Sequence, residues 1–95
     1  MKYIKFKISG RILYGEFVKK YRDYLASANK FDNEDRYVIR LKKELRGFLF
    51  LADKVFLTKD YFNKDSIIID FPFTLAQGLE EVSEEEYMAA MVMES

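Results

Sequence analysis

The chain has 95 residues, contains neither cysteine nor histidine, and has a formal net charge of zero. These absences exclude disulfides and thiolate metal sites, and they remove the commonest zinc ligand and general base, so we expect neither an enzyme nor a bound cofactor. Hydrophobic residues make up 49% of the chain, which is too apolar for a disordered protein. Because a chain of this length can form one core only, we expect a single domain over residues 1–95.

The zero net charge conceals an uneven distribution along the chain. Residues 1–46 contain 13 basic and 6 acidic residues, a net charge of +7, whereas residues 47–95 contain 3 basic and 10 acidic residues, a net charge of −7. Two interpretations remain open. Either the acidic half folds back on the basic half and neutralises it, or a basic face stays exposed and meets an anionic partner.

The first segment predicts a β-hairpin. KYIKFKI alternates lysine with apolar residues, as a half-buried strand does, and Ser9-Gly10 is a two-residue turn that can adopt positive φ. A turn at these two residues sets the register of the hairpin. It pairs Ile8 with Arg11, Phe6 with Leu13 and Ile4 with Gly15, all on the core side, and leaves Tyr3, Lys5, Lys7, Ile12 and Tyr14 on the opposite side.

The middle of the chain is less clearly specified. After Val18 a charged segment either prolongs the second strand or forms a helical turn, and Ala26–Asn33 is predicted to be a loop. Arg36–Gly47 fits a capped helix or a strand, and its adjacent β-branched residues favour the strand. Phe48–Leu57 holds the longest apolar run, so we predict that the core is built around it.

The order of these elements resembles the chain plan of a Src-homology-3-type small barrel. The matching parts are a hairpin, a charged loop, the strands RYVIRL and GFLFL, the turn ADKV and a last strand FLTK, which together span residues 1–58. The resemblance implies a small closed barrel. It implies no binding residues, because the aromatic groove of that family cannot be assigned to positions in this chain.

The remaining residues predict a connector with an extra strand over residues 59–82 and a helix over residues 83–94. Ile67–Ile69 forms the strand, Pro72 ends it or confines it to an edge, and a short helical turn precedes Gly78. Ser83 and Glu86 form a capping box for the helix. The predicted fold class is therefore mainly β (α+β), a small barrel or curled antiparallel sheet with one C-terminal helix.

The leading functional hypothesis is a small non-catalytic protein-interaction or assembly module, such as an accessory protein of a virus or mobile element. Flexible methionines suit surfaces that accept varied partners, and a protein partner or a second copy would contact the apolar stripe of the last helix. That stripe consists of Tyr87, Met88, Met91 and Val92. The alternative for Met88 and Met91 is simple docking on their own chain.

A second hypothesis is nucleic-acid binding by the basic hairpin, where cations meet phosphates and rings stack on bases. Its residues are Lys5, Lys7, Tyr14, Lys19, Lys20 and Arg22, with Tyr3, Tyr21 and Tyr24 among them. The same residues also fit an ordinary solvated strand face.

Two further expectations follow from what the sequence lacks. The spacing of Asp60, Asn63, Asp65 and Asp70 fits no standard calcium loop, so we expect no metal site. The sequence also gives no evident small-molecule substrate. Without a signal peptide or a membrane span, we expect a cytoplasmic protein.

Overall fold

The computed structural model describes residues 2–22, 35–50 and 54–93. Six strands and two helices make up most of this part of the chain. The strands are β1 (Tyr3–Ile8), β2 (Arg11–Arg22), β3 (Asp35–Lys42), β4 (Phe56–Lys59), β5 (Ser66–Pro72) and β6 (Gln77–Val82), and the helices are α1 (Arg46–Phe50) and α2 (Glu84–Met93). Single 3₁₀ turns, Lys43–Leu45 and Phe73–Leu75, precede α1 and β6.

The six strands form one antiparallel sheet in the order β4-β5-β3-β2-β1-β6. The sheet is not closed into a barrel, and β4 and β6 are its edges. The mainly β (α+β) class is therefore confirmed, in the form of an open sheet with a C-terminal helix. No helix among the described residues is long and apolar enough to cross a membrane.

The β1–β2 hairpin has the predicted register. Ile8 pairs with Arg11, Phe6 with Leu13 and Ile4 with Gly15. The turn residues Ser9 and Gly10 have φ values of 50° and 82°, as a hairpin turn that matches strand twist requires. The predicted core side is buried, so alternation and turn chemistry were sufficient to specify this element.

The core lies on one face of the sheet, and Phe48–Leu57 is not its centre. The buried cluster takes most of its side chains from the strands: Ile4, Phe6, Ile8, Leu13, Tyr37, Ile39, Leu41, Ile67, Ile69 and Phe71, joined by Leu45 and Leu49. Phe6 stacks on Phe71 with ring centroids 5.3 Å apart. Within the described part of 48–57, Leu49 is buried, whereas Phe50 and Phe56 are exposed.

The strand predicted over GFLFL is wrong, because its described residues are helical. Leu45 and Leu49 are four residues apart, and both are buried in the core cluster. A helical turn places such a pair on one side, whereas a strand would spread the surrounding large residues over both faces. The segment therefore covers the open side of the core as a helix instead of extending the sheet.

The remaining elements combine confirmed and missed predictions. β2 extends to Arg22. The strand favoured over Arg36–Gly47 is confirmed as far as Lys42 and is wrong for residues 43–47, which form the 3₁₀ turn and the start of α1. The predicted loop Ala26–Asn33 lies outside the described residues. Pro72 ends β5, yet β5 lies inside the sheet between β3 and β4.

Strand β6 was not predicted. Its sequence QGLEEV contains few residues that favour strands, and it is a strand because it pairs with β1. The cap of α2 is confirmed, since the Glu86 backbone N–H donates to Ser83 Oγ at 3.1 Å.

Gly15 is required where β2 and β3 approach each other. A Cβ at this position would lie 2.5 Å from Ile39 Cγ2, 2.7 Å from Leu41 Cδ2 and 2.8 Å from the Arg40 backbone oxygen. All three distances are below the closest approach that packed atoms tolerate. The absent side chain of Gly15 therefore makes room for two core residues.

We predict that Gly15→Ala lowers the free energy of unfolding by about 1–3 kcal/mol, the usual cost of overpacking a filled core. Urea unfolding monitored by circular dichroism measures the change. Gly47→Ala is the matched control, because a Cβ there has no atom within 4 Å and Gly47 lies in α1. The control should be neutral or slightly stabilising. Equal effects of the two substitutions would contradict the close-packing explanation.

Candidate functional site

The second face of the sheet is charged where the first is apolar. In β3 the basic residues Arg36, Arg40 and Lys42 alternate with the core residues, so they project from the opposite face. Each of the three donates hydrogen bonds to a different part of the fold. Clusters of ionisable groups of this kind are typical of catalytic and ligand-binding sites.

Arg36 and Asp70 form the first group. Arg36 Nε donates to Asp70 Oδ1 at 2.7 Å, and the Tyr21 hydroxyl donates to Asp70 Oδ2 at 2.6 Å. The Arg36 side chain is only 11% exposed, and its guanidinium carbon lies 5.2 Å from the centroid of the Phe56 ring. Asp70 therefore links β2, β3 and β5 through a single carboxylate.

The pKa values of Tyr21 and Arg36 are both raised, away from physiological pH. Burial raises the pKa of the Tyr21 hydroxyl above its ordinary value, and the hydrogen bond to Asp70 raises it further. Burial lowers the pKa of Arg36, but the hydrogen bond and charge of Asp70 outweigh it, so the pKa is raised. Tyr21 keeps its proton and Arg36 its charge at neutral pH, and neither group is poised for acid–base catalysis.

Arg40 forms the second group. Its Nε donates to Asp60 Oδ2 at 2.6 Å and its Nη1 donates to Glu16 Oε2 at 2.9 Å. Asp60, whose side chain is 1% exposed, also accepts the Phe62 backbone N–H at 3.0 Å. Burial raises the pKa of Asp60, but the hydrogen bonds from Arg40 and Phe62 outweigh it and hold this pKa below its ordinary value. Asp60 is therefore an ionised anchor for the turn after β4.

No buried polar atom of the two groups is left without a hydrogen-bond partner. Across residues 2–22, 35–50 and 54–93, every buried side-chain nitrogen or oxygen has a hydrogen-bond partner. In the same residues no three metal-ligating side chains lie together. Asp60 and Asp70 bind arginines, and Asn63 Oδ1 accepts the Asp65 backbone N–H at 2.9 Å. We conclude that these groups hold strands together.

The predicted nucleic-acid residues of the hairpin are largely engaged within the chain. Lys5 pairs with Glu80 at 3.7 Å, and Asp35 pairs with Lys20 at 3.5 Å and with Arg22 at 3.2 Å. Of the other candidates, Lys19 lies over the Tyr21 ring, Tyr14 lines a groove beside α2, Lys7 is exposed and Tyr24 lies outside the described residues. Only the Lys5–Glu80 pair follows the interpretation in which the acidic half neutralises the basic half, because Asp35 belongs to the basic half itself.

The predicted stripe of α2 is divided between two sides of the helix. Tyr87 is half-buried and stacks on Tyr3, with ring centroids 4.3 Å apart, and Met91 is also half-buried. Met88 and Val92 are 52% and 74% exposed, and the neighbouring Met93 is 86% exposed. The alternative of simple docking on the chain, proposed for Met88 and Met91, therefore fits Met91 but not Met88. Successive helical residues are about 100° apart, which places Met88 and Val92 away from the sheet.

Sequence analysis missed a basic cavity next to β4. It has a volume of about 450 Å³, and its lining includes the cations Lys43, Arg46, Lys59 and Lys64. These residues are far apart in sequence, and none belongs to a recognisable motif. The polar stretch KDYFNKDS was the one available signal, and it was assigned to a connector.

The chain matches no known protein-family model, and it has no significant match among curated proteins or solved structures. Function is therefore argued from the surfaces described above.

The buried Asp60 carboxylate predicts a pH-dependent stability. Its pKa is lower in the folded state than in the unfolded state, so its contribution is present above the unfolded value and is lost as pH falls through the folded one. We expect Asp60→Asn to lower the free energy of unfolding at neutral pH by about 1–3 kcal/mol. The substitution should also make the free energy of unfolding fall less steeply as the pH is lowered below about 4.

Urea unfolding at a series of pH values measures both effects. Asp65→Asn is the control, because it removes an exposed carboxylate from the same turn. A control profile as flat as that of Asp60→Asn would show that Asp60 is not the group responsible.

Proposed function

We propose that the protein is a small non-catalytic assembly module and that the outer side of α2 contacts a second copy of the chain. The observation that carries the proposal is the distribution of apolar residues around α2. Tyr87 and Met91 are on the side that packs against the rest of the chain, whereas Met88 and Val92 are exposed on the other side. A helix that is apolar on both sides is typical of one that is covered on both sides.

The inner side of α2 is firmly held, which keeps the outer side in a defined position. The Tyr3–Tyr87 stack anchors its first half, and Lys42 Nζ donates to the Met91 backbone oxygen at 3.1 Å near its end. A cation at a helix C-terminus also interacts favourably with the helix dipole. A ten-residue helix is marginal alone in water, so these contacts allow it to present a rigid surface.

A second copy suits the outer side of α2 in shape and charge. Met88 and Val92 are four residues apart and form a stripe along the helix, and two such stripes can pack against each other. If the two helices run antiparallel, the acidic first turn of each, with Glu84 and Glu85, lies toward the Lys42 end of the other. Unlike charges then meet at both ends of the pair.

A shallow groove beside α2 enlarges this surface. It has a volume of about 410 Å³ and is lined by Ile12, Tyr14, Glu86, Ala89, Ala90 and Met93. Because successive helical residues are about 100° apart, Met93 lies on a different flank of α2 from Met88 and Val92, so the groove is a second apolar patch beside the stripe. Because one short helix and a shallow groove offer less area than the roughly 1,000 Å² of a stable interface, we expect a weak and reversible dimer.

Kinship with Src-homology-3-type barrels is also a proposal, supported by the small antiparallel architecture and the consecutive strands β1, β2 and β3. Helix α1 occupies the position where that chain plan has a strand, so no peptide groove is carried over. A role as an accessory protein of a virus or mobile element is proposed on size and on the absence of a catalytic group among the described residues.

Sedimentation velocity over a concentration series tests the proposed dimer. We expect the weight-average mass of the wild-type chain to rise with concentration. The double substitution Met88→Lys and Val92→Lys should keep the chain monomeric, because two lysines on each side of the interface repel each other. Circular dichroism confirms that α2 remains folded.

Val18→Lys is the matched control, since it places a lysine at another exposed apolar position, in β2. This control should associate as the wild type does. A wild-type chain that stays monomeric at every concentration would contradict the proposal, as would equal loss of association in the control.

A further inference from the structure

The basic cavity next to β4 is formed where several elements meet. The 3₁₀ turn and α1 contribute Lys43 and Arg46, β4 contributes Lys59, and the turn between β4 and β5 contributes Lys64. The lining also includes Thr58 and Ser66, whose hydroxyls can donate hydrogen bonds. A volume of about 450 Å³ is within the range of sites for small organic ligands.

The charge of this cavity is not balanced from within. Among the described residues, no carboxylate forms an ion pair with any of its four cations. One acidic residue, Asp60, also lines the cavity, but its carboxylate already accepts hydrogen bonds from Arg40 Nε and the Phe62 backbone N–H. This arrangement contrasts with the hairpin, where Lys5, Lys20 and Arg22 have acidic partners. Cations that converge without counter-charge attract an anion.

Two aromatic rings project into solvent next to the cavity. Tyr61 is 82% exposed and Phe62 is 94% exposed, and Lys59 Nζ lies 5.7 Å from the centroid of the Tyr61 ring. The cation and the ring are therefore neighbours. Exposed rings beside cations are typical of surfaces that bind single-stranded nucleic acid, where bases stack on the rings and phosphates meet the cations.

The turn that carries these groups is held in place before any ligand arrives. Asp60 accepts the Phe62 backbone N–H, Asn63 Oδ1 accepts the Asp65 backbone N–H, and the Ser66 backbone N–H donates to the Asn63 backbone oxygen at 3.2 Å. The Lys43 backbone N–H donates to the Asp65 backbone oxygen at 3.0 Å, which joins the turn to the opposite wall of the cavity. A site built on fixed backbone loses less entropy when it binds.

We propose that this cavity binds nucleotide phosphate, with the base stacked on Tyr61 or Phe62, and that its ligand is a single strand of nucleic acid. An acidic peptide would satisfy the cations but would leave the two rings without a planar partner. Double-stranded nucleic acid presents phosphates but keeps its bases stacked within the helix, so it would not use the rings either. The site goes beyond the proposed assembly function and does not depend on it.

Fluorescence anisotropy with a labelled oligothymidylate of about 12 nucleotides tests the site. We expect binding at low salt that weakens as salt is raised, because the cations displace counterions from phosphate. Lys59→Gln with Lys64→Gln should weaken binding about tenfold and reduce the salt dependence. Tyr61→Ala with Phe62→Ala should weaken binding about tenfold through lost stacking, with the salt dependence unchanged.

Lys5→Gln with Lys20→Gln is the matched control, since it removes the same charge from the hairpin and should leave binding unchanged. Unlabelled adenosine triphosphate and unlabelled oligothymidylate are then compared as competitors. Competition by the triphosphate as strong as that by the oligonucleotide would overturn the strand as ligand and assign the site to free nucleotides.

Three other results would overturn the nucleotide site itself. They are no binding at low salt, equal loss of binding in the hairpin control, and full competition by polyglutamate together with no effect of Tyr61→Ala with Phe62→Ala. None of these substitutions touches α2, so failure here and failure of the proposed dimer are separate results.

Discussion

One face of strand β3 is apolar and must be buried, and the other face is basic and needs acidic partners. The rest of the fold depends on how both faces are accommodated. Tyr37, Ile39 and Leu41 enter the core, while Arg36, Arg40 and Lys42 project from the other face. Leaving one partner of a partly buried ion pair without its counter-charge destabilises a fold, so the arginines restrict which acidic groups lie opposite them. Asp70 of β5 and Asp60 of the turn between β4 and β5 fill those positions, and Lys42 holds the end of α2.

This arrangement explains what becomes of the uneven charge of the sequence. Much of the positive charge of the first half is neutralised by acidic residues of the second half, through Lys5 with Glu80, Arg36 with Asp70 and Arg40 with Asp60. Four of the cations without an acidic partner among the described residues, Lys43, Arg46, Lys59 and Lys64, line the cavity beside β4. The uneven charge along the sequence therefore serves mainly to form ion pairs within the fold. The remaining cations at the cavity give the protein a basic surface.

Elements specified by residues close together in the sequence were predicted correctly, and elements that depend on tertiary contacts were not. The β1–β2 hairpin and the cap of α2 were predictable because alternation, a two-residue turn and the Ser83–Glu86 pair act over a few residues. The strand at β3 was favoured by neighbouring β-branched residues. In contrast, α1 and β6 depend on tertiary contacts, since Leu49 is buried by the sheet and QGLEEV is a strand through pairing with β1.

The surfaces were harder to predict than the fold, for the same physical reason. Which lysines are neutralised depends on strand order, and the four cations of the cavity come from positions 43 to 64 on different elements. The stripe of α2 was identified by its spacing, but the half that faces the sheet is chosen by the Tyr3–Tyr87 stack. Spacing along one helix cannot reveal which of its sides a distant ring will cover.

The two edges of the open sheet limit how this protein can polymerise. Strand β4 has four residues and ends in Lys59, and β6 is interrupted by Gly78 at a φ of +62°. Short, charged or kinked edges discourage backbone pairing between molecules, which is the route to fibrils and insoluble aggregates. The edges therefore disfavour the stacking of copies into amyloid, and contacts between copies are left to side chains.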